Sequence, residues 1–160
     1  MFKPHIDYSN IIWGISKSKG INNIQKNQKK AIRNIVGAKY NSHTDPIFGK
    51  LETLKFEDLV NLNICKFSAK FIHENLPSTF STVFKKLNST RTYKMLIDIP
   101  KSKSLELFPA VYYPKIWNQQ SIKLRSSKSV TIVKNIFKST SVTNYKRFRC
   151  NKNKCFPCKK

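Results

Sequence analysis

The sequence is poor in acidic residues and contains no long hydrophobic run. Of its 160 residues only 8 are Asp or Glu, against 31 Lys or Arg, so the formal net charge is +23. No stretch approaches the roughly 18 apolar residues that a membrane-crossing helix requires. The start of the chain, Met1 to Asp7, lacks the apolar segment of a signal peptide. We therefore expect a soluble, intracellular protein without a membrane partner.

The sequence also lacks the residue patterns of common active sites. Its four glycines are isolated, so there is no glycine-rich loop to cradle a phosphate. Polymerase and hydrolytic chemistry needs clustered carboxylates that hold metal ions, yet no two aspartates are adjacent. The one pair of neighbouring acids, Glu57 and Asp58, is explained by the dipole at the start of a predicted helix. We therefore predict no catalytic residue and no small-molecule substrate.

What the sequence does contain is enough apolar material for a folded core. Hydrophobic residues make up 39% of the chain, including 11 Phe, which is too much for a disordered basic tail. Apolar residues recur at helical spacing over much of the chain. We therefore predict a mainly α-helical fold, a small helical bundle. The predicted helices cover residues 4–13, 16–36, 46–51, 56–76, 78–87, 115–118 and 128–138.

Two later segments depart from this helical pattern. Residues 90–113 are rich in β-prone side chains, but Pro109 and Pro114 limit any strand to short edge pieces, so we predict an irregular segment or a short β-hairpin. From Ser139 onward the chain is polar and basic, and we predict a loosely ordered tail. The predicted divisions are 1–89, a helical bundle; 90–140, a mixed segment with an amphipathic helix; and 141–160, a basic tail that contains cysteines.

Three cysteines near the C-terminus form a candidate metal site. Cys150, Cys155 and Cys158 have the spacing C-x4-C-x2-C, and zinc is the natural ion for thiolates spaced in this way. A closed site needs a fourth ligand, from Cys65, a histidine or elsewhere, although Cys65 itself is most simply a buried apolar residue. The sequence leaves two interpretations open, an incomplete zinc site or cysteines that hold no metal.

The cationic residues concentrate in the last third of the chain and in one predicted helix. Residues 101–160 carry 15 cations and one acid, and no acid follows Lys123. Cations neutralise phosphates and aromatic rings stack on unpaired bases, so this composition favours RNA or DNA binding without sequence readout. The alternative is a solvated surface whose aromatic rings face the core. The candidate nucleic-acid-binding residues are Lys26, Lys29, Lys30, Arg33, Lys123, Arg125, Lys128, Lys134, Lys138, Lys146, Arg147 and Arg149.

Several blocks of the sequence occur in the order found in one family of mobile-element proteins. They are PHIDYSNIIWG at 4–14, QKNQKKAIR at 25–33, YNSHTDP at 40–46 and PKIWN at 114–118. Over about the first 140 residues the chain resembles the region after the polymerase palm of non-LTR (LINE, jockey-like) retrotransposon reverse transcriptases. Where that family usually continues the last block with Leu-Pro, this chain has Gln119-Gln120.

The resemblance implies a role for the basic residues. Such enzymes are RNA-directed DNA polymerases that copy RNA at a nicked chromosomal target, and their thumb helices grip the template–primer backbone. Their paired palm aspartates have no counterpart here. The resemblance therefore implies a catalytically silent, nuclear C-terminal piece that lacks its upstream palm and has a thumb-like bundle over 1–89. Size and charge also fit a small basic structural protein of a ribonucleoprotein such as a ribosome, and a degraded gene product without function is the third hypothesis.

Overall fold

The structure is a computed structural model that describes residues 9–16, 18–87, 91–100 and 102–147. These residues are mainly α-helical, which confirms the predicted fold class. No β-strand is present within them, and none of their helices is long and apolar enough to cross a membrane. The α-helices are α1 (Asn10–Trp13), α2 (Lys19–Ile35), α3 (Asp45–Lys50), α4 (Phe56–Ile72), α5 (Pro109–Asn118), α6 (Ile122–Arg125) and α7 (Val130–Lys146).

Contacts within the chain divide it into two compact units. The described residues of 9–16 and 59–137 form the first unit, and those of 18–58 and 138–147 form the second. Each unit is assembled from two stretches that are distant in sequence. This division differs from the predicted boundaries at 89 and 140, because tertiary contacts and not local composition decide which segments pack together.

The first unit has an aromatic core built on α4. Phe67 contacts Phe80, Phe84 and Tyr113 edge to face, with ring centroids 5.3 to 5.6 Å apart, an arrangement that the aromatic quadrupole favours. The Tyr113 hydroxyl donates to the backbone oxygen of Ile11 at 2.7 Å. Burial raises the pKa of Tyr113 to about 12, so the hydroxyl keeps its proton for this bond. The bond ties α5 to α1.

The second unit has a smaller core between α2, α3 and α7. Ile32, Phe48 and Tyr145 are buried in it, and the rings of Phe48 and Tyr145 lie 6.1 Å apart. Gly49 allows α3 and α7 to approach closely, since a Cβ atom at this position would lie 3.0 Å from Cγ of Lys146. The absence of a side chain at one residue therefore sets the spacing of two helices.

Local signals determine both ends of α2. At its start the Ser18 hydroxyl accepts from the N–H of Ile21 at 3.4 Å, which satisfies one of the unpaired donors of the first turn. At its end Gly37 takes a left-handed φ of 62°. This conformation lets the N–H of Ala38 close on the oxygen of Arg33 at 2.9 Å, the bond of a Schellman motif. The sequence prediction of 16–36 is therefore nearly correct for this helix.

Helix α4 ends earlier than predicted, at Ile72 and not at Leu76. Glu74 takes a left-handed φ of 61°, and the N–H of Asn75 bonds to the oxygen of Lys70 at 2.8 Å. This is the same terminating bond pattern, with Glu in the place that Gly usually occupies. A non-glycine residue rarely adopts this conformation, so the sequence contains no signal for the stop.

The predicted β-hairpin at 90–113 is not formed in the described residues of that range. An isolated antiparallel bridge joins Lys86 to Met95, and residues Lys103–Leu107 form a 3₁₀ helix. Pro109 begins α5, where the sequence analysis took it to interrupt a strand. The physical reason is that the fixed φ of proline suits the first residue of a helix, whose N–H has no intrahelical partner in any case. The helix predicted at 78–87 is also reduced, to a 3₁₀ turn at Ser78–Thr82.

The PKIWN block has a structural role in the first unit. The Asn118 side chain accepts from the N–H of Met95 at 3.0 Å and donates to its oxygen at 2.8 Å. The Trp117 indole, which is fully buried, donates to the oxygen of Tyr93 at 2.7 Å. These side chains bond backbone groups that a second β-strand would otherwise have paired. Among the described residues Met95 is therefore bridged to Lys86 and bonded to Asn118 without being part of a β-strand.

The helix predicted at 128–138 is longer than expected. Helix α7 continues to Lys146, so residues 139–146 are helical and the prediction of a loosely ordered tail was wrong for them. Val142 and Tyr145 are buried and extend the apolar side of the helix. Ser and Thr residues surround both positions in the sequence and obscure the helical spacing, which is why tertiary packing was needed to identify it.

Candidate nucleic-acid interface

Helix α2 has one face in the core of the second unit and the opposite face in solvent. Ile21 and Ile32 are buried on the core face. With 3.6 residues per turn, Lys26 and Lys30 lie on the far side of the helix from these residues, and both are exposed. The amphipathic pattern of the sequence therefore orients the lysines toward solvent.

The glutamine side chains of α2 face the rest of the second unit. Gln28 donates to the oxygen of Leu54 at 2.9 Å and accepts from the N–H of Phe56 at 2.8 Å. Gln25 donates to a carboxylate oxygen of Glu57 at 2.8 Å. Three hydrogen bonds thus fix α2 against the start of α4. They also fix the direction in which the lysines on the opposite side point.

The solvent side of α2 is a continuous cationic surface, called here the α2 cationic face. Its cations have no acidic residue between them in the helix, and the other exposed polar residues of α2 are asparagines. Lys26 and Lys30 are four residues apart, which is about 6 Å along the helix axis. Lys19 belongs to this face although the sequence analysis did not select it. The α2 cationic face consists of Lys19, Lys26, Lys29, Lys30 and Arg33.

An exposed tyrosine lies at the C-terminal end of this face. The guanidinium carbon of Arg33 lies 5.9 Å from the ring centroid of Tyr40, within the range of a cation–π contact. Nε of Arg33 donates to the oxygen of Ser42 at 3.0 Å, and the N–H of Ser42 donates to the oxygen of Lys39 at 3.0 Å. Tyr40 nevertheless remains 80% exposed. The sequence does not predict Tyr40 as part of an interface, because nothing in its local pattern distinguishes an exposed ring from a buried one.

Arg125 was predicted to contact nucleic acid, and the structure gives it a different role. The residue is only 7% exposed. Its guanidinium donates to the oxygen of Gln120 at 3.1 Å and to the oxygen of Thr92. Arginine is suited to this task because its rigid fork can reach two acceptors at once. Arg125 is therefore not among the exposed cations, since its charged group holds two backbone segments of the first unit together.

The other predicted cations lie outside α2 in the sequence. Lys123, Lys128 and Lys134 are exposed in the first unit. Lys146 is exposed on α7 and forms an ion pair with Glu52 at 3.4 Å. Two further candidates belong to the second unit. Lys138 lies on α7 and is half-buried, and Arg147 follows α7 directly and is exposed. Arg149 lies outside the described residues.

A half-buried acid and a buried tyrosine form a polar cluster in the second unit. The Tyr145 hydroxyl donates to Asp58 and accepts from the N–H of Lys55 at 3.3 Å. Burial raises the pKa of Asp58, although the bond from Tyr145 and the nearby Lys55 ammonium oppose this rise. Lys55 also pairs with Asp45 at 2.8 Å and lies over the Tyr145 ring. Because every polar group of the cluster has a partner inside the unit, its role is to hold α7 in place.

The structure contains no candidate metal site within the described residues. No three His, Cys, Asp or Glu side chains come together there. Cys65 is fully buried in α4, and burial raises the pKa of its thiol to about 12. This agrees with its interpretation as a small apolar core residue, because a zinc ligand must be a thiolate. Cys150, Cys155 and Cys158, the predicted zinc ligands, lie outside the described residues.

A cleft of about 390 Å³ opens in the first unit between α1 and α4. Phe67, Leu76 and Val130 contribute apolar surface, and Lys66 and Lys70 contribute cations. Asn10 is fully buried beside it and accepts from Asn63 at 3.0 Å. The Asn10 amide nitrogen is inaccessible and has no partner, so it cannot serve a ligand in this conformation.

Comparisons with protein-family models, with curated proteins and with solved structures find no match to this chain.

Proposed function

We propose that this protein binds nucleic acid by its phosphate backbone, through the α2 cationic face. The observation that carries this proposal is the alignment of four exposed lysines and the half-buried Arg33 on one side of α2, without an acidic residue in the helix. Such an array repels itself unless counterions or a polyanion neutralise it. A nucleic acid releases condensed counterions when lysines replace them, and this release favours binding. Backbone contacts of this kind carry no sequence information.

We further propose that the chain corresponds to the thumb and post-palm region of a retrotransposon reverse transcriptase. The support is the order of the sequence blocks, and a thumb would use a helix such as α2 to hold a template–primer backbone. Without paired palm aspartates the chain itself would be catalytically silent. A genomic frame encoding such a palm directly upstream would support the assignment. Co-sedimentation with ribosomes would favour the ribonucleoprotein hypothesis.

The first prediction concerns a variant in which charge is removed from the α2 cationic face. The variant Lys26→Gln/Lys29→Gln/Lys30→Gln keeps residues of good helix propensity and should weaken binding to a short DNA by about tenfold or more at moderate salt. On a single-stranded DNA the slope of log affinity against log salt should become shallower by about 2, because three phosphate contacts are lost. Fluorescence anisotropy over a series from about 50 to 200 mM salt measures both quantities.

A matched control variant distinguishes the contribution of the α2 cationic face to binding from that of the total charge. Lys94, Lys103 and Lys115 are exposed lysines of the first unit, and their replacement by Gln lowers the net charge by the same amount. This control should retain most of the affinity and the salt slope. Equal losses in both triple variants would mean that the total charge, and not the α2 cationic face, binds the polymer.

A further inference from the structure

Tyr40 is an exposed aromatic residue held in a defined place beside a cationic helix. It is 80% exposed, yet the turn that carries it is fixed by the bond between Arg33 and Ser42 and by the turn bond between Ser42 and Lys39. The ring therefore has a defined position without being used by the core. Because the ring is exposed, its π surface is accessible to a ligand.

We propose that Tyr40 and Arg33 form a stacking platform for an unpaired base, so that the protein prefers single-stranded nucleic acid to duplex. This inference rests on the proposed function, because the α2 cationic face must hold the backbone before a base can reach the ring. Aromatic rings beside a basic track are the means by which single-strand-binding proteins engage bases of any sequence. A duplex offers no free base face, since its bases are stacked on one another.

The groups around Tyr40 match both parts of a nucleotide. The tyrosine ring offers a π surface to the base. Arg33 has five N–H donors; Nε is used by Ser42, and among the described residues no group accepts from its two Nη nitrogens. These nitrogens can pair with a phosphate oxygen next to the stacked base. Lys30 and Lys26 continue the cationic face along α2 and can contact the following phosphates.

The stacking surface distinguishes a nucleic acid from other polyanions. An acidic peptide or a phosphate polymer without bases would neutralise the lysines. Neither ligand would provide a nucleobase that stacks on Tyr40. The platform is therefore tested by comparing ligands that have the same charge and differ only in their bases.

The experiment measures the affinity of the purified full chain for four labelled probes of equal length. The probes are oligothymidylate, oligouridylate, a DNA duplex and an abasic phosphodiester oligomer. Tyr40→Leu removes the π surface but keeps apolar bulk, and Tyr40→Phe keeps the ring. Tyr40→Leu should weaken oligothymidylate binding by about 5-fold to 10-fold, the lower part of the range for one stacked base. Tyr40→Phe should bind as the unchanged protein does.

The other probes show whether a loss of affinity in Tyr40→Leu comes from the base or from the backbone. Abasic and duplex binding should change less than about 2-fold in Tyr40→Leu, because neither probe can stack on the ring. The affinities for oligouridylate and oligothymidylate show which of the two polymers this surface prefers. Equal losses for the abasic and base-containing probes, or no loss for any probe, would overturn the platform while leaving backbone binding intact. If the unchanged protein bound none of the four probes, the proposed function itself would be overturned.

Discussion

Arg33 and Arg125 show how differently one residue type is used in this protein. Arg33 is half-buried at the edge of the α2 cationic face and contacts Tyr40. Arg125 is buried and bonds two backbone oxygens, those of Thr92 and Gln120. Both were candidates for phosphate binding from the sequence. Only the environment of each guanidinium separates a surface contact from an internal brace.

Replacing Arg125 should cost stability and not binding. In Arg125→Met the two backbone oxygens lose their donor in a poorly solvated place, so the free energy of unfolding should fall by about 1–3 kcal/mol. Urea denaturation followed by circular dichroism measures this change. The affinity of the folded variant for nucleic acid should stay the same.

The neighbouring lysine supplies the control for this prediction. Lys123 is exposed on the same short helix, so Lys123→Met should change the free energy of unfolding by no more than about 0.5 kcal/mol. If Arg125→Met were as stable as Lys123→Met and bound nucleic acid more weakly, Arg125 would be a surface contact after all.

At the scale of elements, glycines have opposite roles in α2 and α3. Gly20 lies in the first turn of α2, where an added Cβ would meet only the Ser18 hydroxyl at 3.6 Å. Gly49 lies in α3 against Lys146 of α7, whose backbone nitrogen would be 3.2 Å from a Cβ. The first glycine therefore weakens its helix without a packing benefit, and the second permits two helices to pack.

Alanine substitutions should reveal this difference with opposite signs. Gly20→Ala should raise the free energy of unfolding by about 0.5–1 kcal/mol, because alanine loses less backbone entropy in a helix. Gly49→Ala should lower it by about 1–3 kcal/mol through overpacking against α7. Chemical denaturation of the two variants in parallel provides the comparison. A stabilising Gly49→Ala would show that α3 and α7 are more loosely packed than the structure indicates.

At the scale of the whole molecule, the high net positive charge lowers the stability of the fold and favours nucleic-acid binding. The formal net charge is +23, and the described residues contain few ion pairs that could offset it, those of Lys55, Lys86 and Lys146. Surface pairs of this kind contribute little to stability. Self-repulsion therefore destabilises the folded chain in a way that salt relieves.

Salt should accordingly have opposite effects on the free protein and on its complex. The melting temperature of the protein alone should rise between about 50 and 500 mM salt as screening weakens self-repulsion. Over the same range the affinity for nucleic acid should fall steeply. Differential scanning fluorimetry with and without a short oligonucleotide measures both effects. A melting temperature that falls with salt in the absence of ligand would contradict the charge argument.

The sequence by itself determined the helical class and most helix positions. Apolar spacing places α2 to within a few residues and α3 to within one, because it is a local signal, and proline marks the start of α3. Composition also identified α2 as a cationic helix. These features depend only on residues close in sequence, which is why the sequence suffices for them.

Only the tertiary structure decided the features that depend on distant residues. Asn118 and Trp117 replace the predicted hairpin by bonding the backbone of residues 93–95, and a left-handed Glu74 ends α4 early. The burial of Arg125 and the exposure of Tyr40 likewise follow from which segments pack together. A side chain's solvent exposure and hydrogen-bond partners are properties of the folded chain, so they separated the cations that brace the fold from those available to a ligand.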